Sequence, residues 1–261
     1  MKKLLYSVFA AALIIGCAKE DGGVISPEQD SGKITFSATE VLARGVEEKS
    51  AWVVGDSVLI YQAVDQADIT VASGIYKITD AQGTLEYVSG NEFAYYEDAD
   101  VVDFCAVYPY IDGMSVESAG VCLGADALAY DVLYARATQN AECVEFTFSH
   151  LCAKIELDLT STALFTMDSD TVTFKNAFIG INAIGSGAET YVTGDITVVA
   201  DFTDSSKAST SVFVFVDSAS PYTPDVEVVL LDGTKYYDPL GMAFSESVSE
   251  SGERYKYTLS L

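Results

Sequence analysis

Basic residues are scarce in this 261-residue chain: 14 Lys and Arg stand against 39 Asp and Glu, a formal net charge of −25 at pH 7. Affinity for a phosphate backbone comes largely from Lys and Arg, so nucleic acid is excluded as a partner, and an anionic lipid surface is repelled. The acids are spread along the chain, not gathered into a tail, which reads as solubility and resistance to sticking. There is one histidine, His150. It has no neighbouring Ser or Cys in a nucleophile motif, and one His with scattered Cys fits no metal-ligand spacing. No pair of acids is marked out as the general acid and base of a glycosidase. An enzyme, a cofactor and a metal are therefore not expected, and His150 is expected as a packed, hydrogen-bonded residue. Long apolar runs are missing too. The one at Leu4 to Ile15 is too short for a transmembrane helix, which needs roughly 20 apolar residues. No segment offers a helical stripe, and no internal repeat is found.

What is there begins with an address. Lys2 and Lys3, the apolar run and small Gly16 before Cys17 make a secretory signal, expected to be removed as residues 1–16. Ile14-Ile15-Gly16-Cys17 also resembles a bacterial lipoprotein signal, in which the Cys thiol takes a diacylglycerol. That resemblance implies a mature chain beginning at lipidated Cys17, held stably in the outer membrane by several acyl chains. Ala18-Lys19-Glu20-Asp21 resembles the acidic signal that sends Bacteroidota lipoproteins to the outer cell surface. The Gly-rich, acidic stretch that follows cannot order itself, so residues 17–33 read as a tether.

Beyond the tether, apolar and polar residues alternate in short runs separated by Gly, Asp, Asn or Ser. The clearest are Ile34 to Ala38, Ser57 to Val64, Val101 to Tyr108, Cys143 to Phe148, Val172 to Ile181, Ile196 to Phe202, Ser211 to Val216, Val226 to Leu231 and Arg254 to Leu261. Rich in Val, Ile, Thr, Tyr and Phe, they predict an all-β, sandwich architecture. The alternation changes phase between Phe148 and Leu151, which predicts a β-bulge near Ser149 and His150. Polar residues after Leu159 place a domain boundary there, giving units 34–160 and 161–261. Trp52 reads as a core plug and Gly55-Asp56 as a turn before a strand. In an exported chain the four cysteines Cys105, Cys122, Cys143 and Cys152 allow up to two disulfides, with Cys105–Cys122 and Cys143–Cys152 preferred and buried free thiols the alternative.

Several stretches, in order, resemble the fimbrillin family of Bacteroidota lipoproteins, the subunits of type V pili. They are Thr35-Phe36-Ser37-Ala38, Ala43-Arg44-Gly45, Trp52 to Tyr61, Ala106 to Tyr110, Asp131 to Ala135, Phe146 to Ile155 and Tyr255 to Leu259. The resemblance implies two tandem transthyretin-like Greek-key β-sandwich domains after the signal peptide, in a pilus subunit or its anchor or tip. It also implies that an Arg-specific protease cuts between Arg44 and Gly45, releasing the first strand with its lipid. The four Cys from Cys105 onward depart from the family pattern, and the second half is short.

The residues themselves fit strand exchange. Ile34, Phe36 and Ala38 share one face of a short strand before Arg44, the strand to be displaced. Tyr255, Tyr257, Leu259 and Leu261 form a cleaner apolar face at the other end, the donor strand. The expected function is a structural or adhesive pilus subunit, with other subunits, the outer membrane and the protease as partners. The alternative is a permanently lipid-anchored surface protein: a pilus anchor, an adhesin or a glycan binder. Tyr95-Tyr96, Tyr108 with Tyr110, and Tyr236-Tyr237 would stack on sugars in that reading, or pack across strands.

Overall fold

Period-two alternation governs the described chain: among the described residues there are strands, turns and one short 3-10 turn, with no α-helix. The computed structural model describes residues 34–40, 52–63, 72–94, 102–117, 120–139, 143–160, 171–184, 189–204, 207–230, 234–238 and 247–260. The first strands are β1 (Thr35–Glu40), β2 (Ser57–Gln62), β3 (Ser73–Ile78), β4 (Thr84–Gly90), β5 (Asp103–Tyr108), β6 (Ser115–Glu117) and β7 (Gly120–Leu123). The 3-10 turn Ala125–Ala129 leads into β8 (Leu133–Thr138) and β9 (Cys143–His150). There follow β10 (Cys152–Thr160), β11 (Thr171–Ile184), β12 (Thr190–Val199), β13 (Asp201–Asp204), β14 (Lys207–Phe215), β15 (Asp225–Val229), β16 (Lys235–Asp238) and β17 (Arg254–Ser260).

Seven of these strands close a barrel in the order β1-β4-β3-β2-β5-β8-β9. Closure rests on β1, which lies parallel to β9 and antiparallel to β4. Phe36, Phe104, Phe146 and Phe148 fill the interior together with Val58 and Ile60. These are alternate residues of their strands, as a pleat with one face inward requires. Trp52, just ahead of β2, packs edge-on against Tyr108 and Phe148 as the expected plug.

A second core lies between two further sheets. One runs β13-β14-β10-β17; the other runs β16-β15-β11-β7-β6, with β12 on the remaining edge of β11. Ile155, Leu157 and Leu159 of β10 pack in the same apolar cluster as Val172, Phe174, Val226 and Val228 of the facing sheet. A third cluster joins the outside of the barrel (Leu59, Tyr61, Val107) to Val121, Leu123, Ile181 and Phe215. Tyr61 adds a buried hydrogen bond there, its hydroxyl donating to the Ile184 carbonyl at 2.7 Å.

The phase change around His150 is not a bulge. β9 keeps regular register with β8 through Tyr134↔Ser149 and Leu133↔His150. The chain then steps at Leu151 out of the barrel, and β10 begins in the other sheet, paired with β14 and β17. The switch of apolar face records this change of core. True bulges occur in β11, between Phe174 and Ala177 and between Phe178 and Gly180. Asn176 there has φ +54°, and the Asp195 carboxylate accepts its backbone N–H at 3.1 Å.

The preferred disulfides are also corrected: Cys105, Cys122, Cys143 and Cys152 are all free. Eight-residue β9 carries the chain about 23 Å beyond Cys143 before Cys152 is reached, whereas a bridge needs Cα atoms within about 7 Å. Cys105 lies in the third cluster with Val121 and Leu123. Strand alternation therefore turns Cys122, between them, to the opposite face. Cys105 instead has its Sγ 3.2 Å from the Tyr134 hydroxyl.

Candidate functional site

The residues expected to act in strand exchange lie at two separate places. Cys17, Arg44, Gly45 and Leu261 fall outside the described residues, as do Tyr95 and Tyr96 and the side chains of Tyr236 and Tyr237. Ile34, Phe36 and Ala38 are described and buried: Ile34 directly precedes β1, and all three face the barrel core. Tyr255, Tyr257 and Leu259 belong to β17.

β1 is held unequally on its two sides. Six consecutive residues, Thr35 to Glu40, are in parallel register with Cys143 to Phe148 of β9. Toward β4 only Phe36↔Leu85 and Ser37↔Thr84 pair. Side chains strengthen the weaker flank. Phe36, 2% exposed, meets Tyr76, Phe93 and Phe104 edge-on at ring centroid distances of 5.1, 6.1 and 5.3 Å and stacks on Phe146 at 5.7 Å. Burying one such ring contributes about 1.5–3 kcal/mol, and its aromatic geometry adds to that.

The far end of β1 is pinned at Ala38. Its N–H donates to the Gly83 carbonyl at 3.0 Å, and its carbonyl accepts the Trp52 indole N–H at 2.9 Å. Gly83 has φ +85°, and a Cβ there would sit 2.3 Å from the Ala38 oxygen and 2.8 Å from the Trp52 ring. Only glycine permits that approach.

β17 is the edge strand of its sheet, with β10 its one ladder partner among the described residues. Seven register pairs, Lys154↔Arg254 to Thr160↔Ser260, run parallel. Tyr257 is buried in the second core, with Tyr255 and Leu259 half-buried against it. The Tyr255 hydroxyl accepts the backbone N–H groups of Ser249 and Glu250, each at 3.1 Å. On the opposite face, Glu156 of β10 meets Arg254 at 2.6 Å and Lys154 at 3.2 Å, and Lys256 meets Asp158 at 3.0 Å. Partial burial pushes the Glu156 carboxyl up, but hydrogen bonds from Arg254 and Lys154 outweigh it and hold the group below its ordinary value.

The two edge relationships are alike in kind: β1 on β9 and β17 on β10 are both parallel ladders that seat apolar side chains in a core. A strand carrying Tyr255, Tyr257 and Leu259 thus already makes the type of contact that β1 makes. Sequence periodicity found both strands but not their shared geometry, because strand direction within a sheet leaves no mark in the alternation.

His150 is buried at the end of β9. Its Nδ1 lies 2.7 Å from Asp131 Oδ2, off the line of an aligned hydrogen bond. Among the described residues no group of three or more His, Cys, Asp or Glu could hold a metal ion, and no helix is long and apolar enough to cross a membrane.

Comparison with known proteins places these features in a family. The profile of the fimbrillin-like family matches residues 44–261. No curated protein matches the chain. Among solved structures, a candidate cell adhesion protein from Bacteroides uniformis is similar at 19% identity with a TM-score of 0.58, covering 90% of this chain and 94% of that one. A candidate cell adhesion protein from Bacteroides ovatus is similar at 19% identity and a TM-score of 0.56, covering 88% and 92%. The fimbrial anchor protein Mfa2 from Porphyromonas gingivalis is similar at 8% identity and a TM-score of 0.49, covering 87% and 90%. At these identities the two Bacteroides neighbours speak for a shared fold, while the profile spans most of the sequence. The chain belongs to the fimbrillin-like family.

Proposed function

We propose that this protein is a cell-surface pilus subunit, structural or adhesive, that assembles by exchange of its first strand. Residues 1–16 direct export, Cys17 carries a lipid that holds the subunit at the outer membrane, and residues 17–33 are the tether. The barrel and the two-sheet sandwich serve as tandem transthyretin-like domains. An Arg-specific protease cuts between Arg44 and Gly45. The fragment removed includes the whole of β1.

The observation that carries this reading is the position of β1. It is the one stave between β9 and β4, so its departure leaves two backbone edges unpaired and uncovers Phe104 and Phe146. Such an edge recruits another strand by β-augmentation. The C-terminal strand of a second subunit supplies larger side chains, Tyr255, Tyr257, Leu259 and Leu261, in place of Ile34, Phe36 and Ala38. At roughly 25 cal/mol per Å² of apolar surface buried, exchange favours the polymer. Treatment of the purified protein with an Arg-specific protease tests this. The expected result is loss of the residues before Gly45 and a shift from monomer to higher oligomers in size-exclusion chromatography with light scattering. A cut protein that stays monomeric overturns strand exchange.

One observation favours the second reading, a permanently anchored surface adhesin. β17 is already paired along its full length with β10 and tied to it by the ion pairs at Glu156 and Asp158. A strand so engaged resists donation. The first residue of the protein recovered from cells separates the readings: Gly45 belongs to a processed subunit, Cys17 to an anchored one.

A further inference from the structure

On the outer wall of the barrel, between the starts and ends of β2 to β5, lies an open cleft of about 750 Å³. That is within the range of roughly 300–1,000 Å³ typical of small-ligand sites. Its lining brings together Asp56 at the turn before β2, Val88 and Ser89 of β4, Tyr110 and Asp112 after β5, and Tyr130 after the 3-10 turn. Four features of this lining bear on what it holds.

The first is a pair of uncommitted rings. Tyr130 is 47% exposed, and Tyr110 is half-buried against the third cluster. Neither packs ring to ring with another described aromatic, in contrast to Phe36, Trp52, Tyr76 and Phe93. Neither hydroxyl is hydrogen-bonded to a described residue. An exposed tyrosine without such partners offers an apolar face and a polar tip to a ligand.

The second is fixed backbone. The Tyr110 N–H donates to the Ser57 carbonyl at 2.7 Å, the Met114 N–H to the Ile111 carbonyl at 3.1 Å, and the Tyr130 N–H to the Ala127 carbonyl at 3.0 Å. The loops that carry both rings are thus set in place before any ligand arrives, which lowers the ordering cost of binding.

The third is a bulge. Ile75 pairs with Ser89 and Tyr76 with Tyr87, so Val88 is the extra residue of β4. Bulges re-aim side chains. Here Val88 is left 54% exposed on the cleft wall, beside the Ser89 hydroxyl.

The fourth is the sign of the polar groups. Asp56 takes the hydroxyl hydrogen of Tyr108 on Oδ2 and keeps Oδ1 for another donor. Asp112 is exposed, and among the described residues no Lys, Arg or His lines the cleft. A site of carboxylates, hydroxyls and ring faces suits a ligand that offers many hydroxyl donors and a flat C–H face, and it turns away anions.

We infer that this cleft binds neutral hexose oligosaccharides, with the rings of Tyr110 and Tyr130 against pyranose faces and Asp56 and Asp112 accepting from sugar hydroxyls. The inference deepens the adhesive side of the proposed function and rests on its surface location. It does not depend on cleavage or polymer formation.

Isothermal titration of the uncut protein with cellotriose, maltotriose, mannotriose and laminaritriose, and with sialyllactose as the anionic comparison, tests it. At least one neutral trisaccharide is expected to bind with a Kd below about 10 mM. Tyr130→Ala, at an exposed position outside all three cores, is expected to weaken that binding about tenfold with an unchanged melting temperature. Asp112→Asn supplies a second variant at an exposed position, with a smaller loss. Absence of binding by all four, binding of sialyllactose as tight as that of the neutral sugars, or binding untouched by both variants overturns the assignment. Since the uncut monomer is measured, a negative result leaves strand exchange standing, and a monomer that fails to polymerise after cutting leaves the cleft standing.

Discussion

The indole N–H of Trp52 donates to the main-chain carbonyl of Ala38 at 2.9 Å, across a buried contact that joins the segment before β2 to the last half of β1. The same indole lies edge-on to Phe148, a residue of β9, the strand that forms the long ladder with β1. Trp52 therefore holds β1 from the side where β4 pairs with it least. Trp52→Phe keeps an aromatic plug but removes the donor, leaving a buried carbonyl unpaired. A loss of about 1–3 kcal/mol is expected, seen as a lower midpoint in urea unfolding. The effect should be largest in amide exchange of β1, since its anchorage is what is lost.

Gly83 is the second clamp on Ala38. Its φ of +85° and the 2.3 Å approach that a Cβ would make to the Ala38 oxygen leave no room for a side chain. Gly83→Ala must twist the turn or push β1 outward, and a loss of at least about 1 kcal/mol is expected. If β1 is the strand that leaves on assembly, the same variant should also form oligomers faster after protease treatment, measured by light scattering against the wild type. A rate unchanged in the face of lower stability would place the slow step elsewhere than in β1 release.

β17 should be released more readily in acid. Glu156 is held below its ordinary value near 4.5, since hydrogen bonds from Arg254 and Lys154 overcome the opposing effect of burial. A carboxyl depressed in the folded state contributes stability above its unfolded value, and that contribution is lost as pH falls through the lower folded value. Glu156→Gln removes the charge at all pH values. At pH 7 it should cost about 1 kcal/mol, the scale of partly exposed ion pairs. The gap between wild type and variant should close as pH drops below about 4.5, measured as urea midpoints across the range. A gap that stays constant into acid would mean that the carboxylate form of Glu156 does not hold β17.

Much of the barrel was legible in the sequence because its inward residues are bulky and strictly alternate: Ile34, Phe36 and Ala38 at and just before β1, and Val144, Phe146 and Phe148 in β9; the same holds for Tyr255, Tyr257 and Leu259 of β17 in the second core. The failures have local causes. β11 reads as ten residues, Val172 to Ile181, because the bulges at Asn176 and Ile179 break its phase, whereas it spans Thr171–Ile184. The step at Leu151 changes the apolar face just as a bulge would, and alternation alone cannot tell a kinked strand from one that leaves for another sheet. The cleft was half visible. The sequence sets Tyr108 and Tyr110 side by side, whereas in the fold Tyr108 is buried against Trp52. Tyr110 and Tyr130 line one cleft from two separate loops, a juxtaposition that no short-range pattern encodes.

The four cysteines give the sharpest test of the architecture itself. Cys105 lies between the barrel and the sandwich, and Cys152 sits at the first residue of β10; both are fully buried, and burial pushes both thiols above their ordinary values. The thiolate is the reactive form, so these two should be inert in the native protein on both counts, access and ionisation. Cys122 and Cys143 are partly exposed. Treatment of the uncut protein with a maleimide, followed by peptide mass mapping, should therefore label Cys122 and Cys143 first. Cys105 and Cys152 should become labelled only in denaturant, without reductant. If denaturant alone exposes no further thiols and reductant is required, the chain has formed a bridge. In that event Cys105 and Cys152, which share the buried cluster between barrel and sandwich, would be the bridged pair, and their placement as two free thiols would have to be wrong.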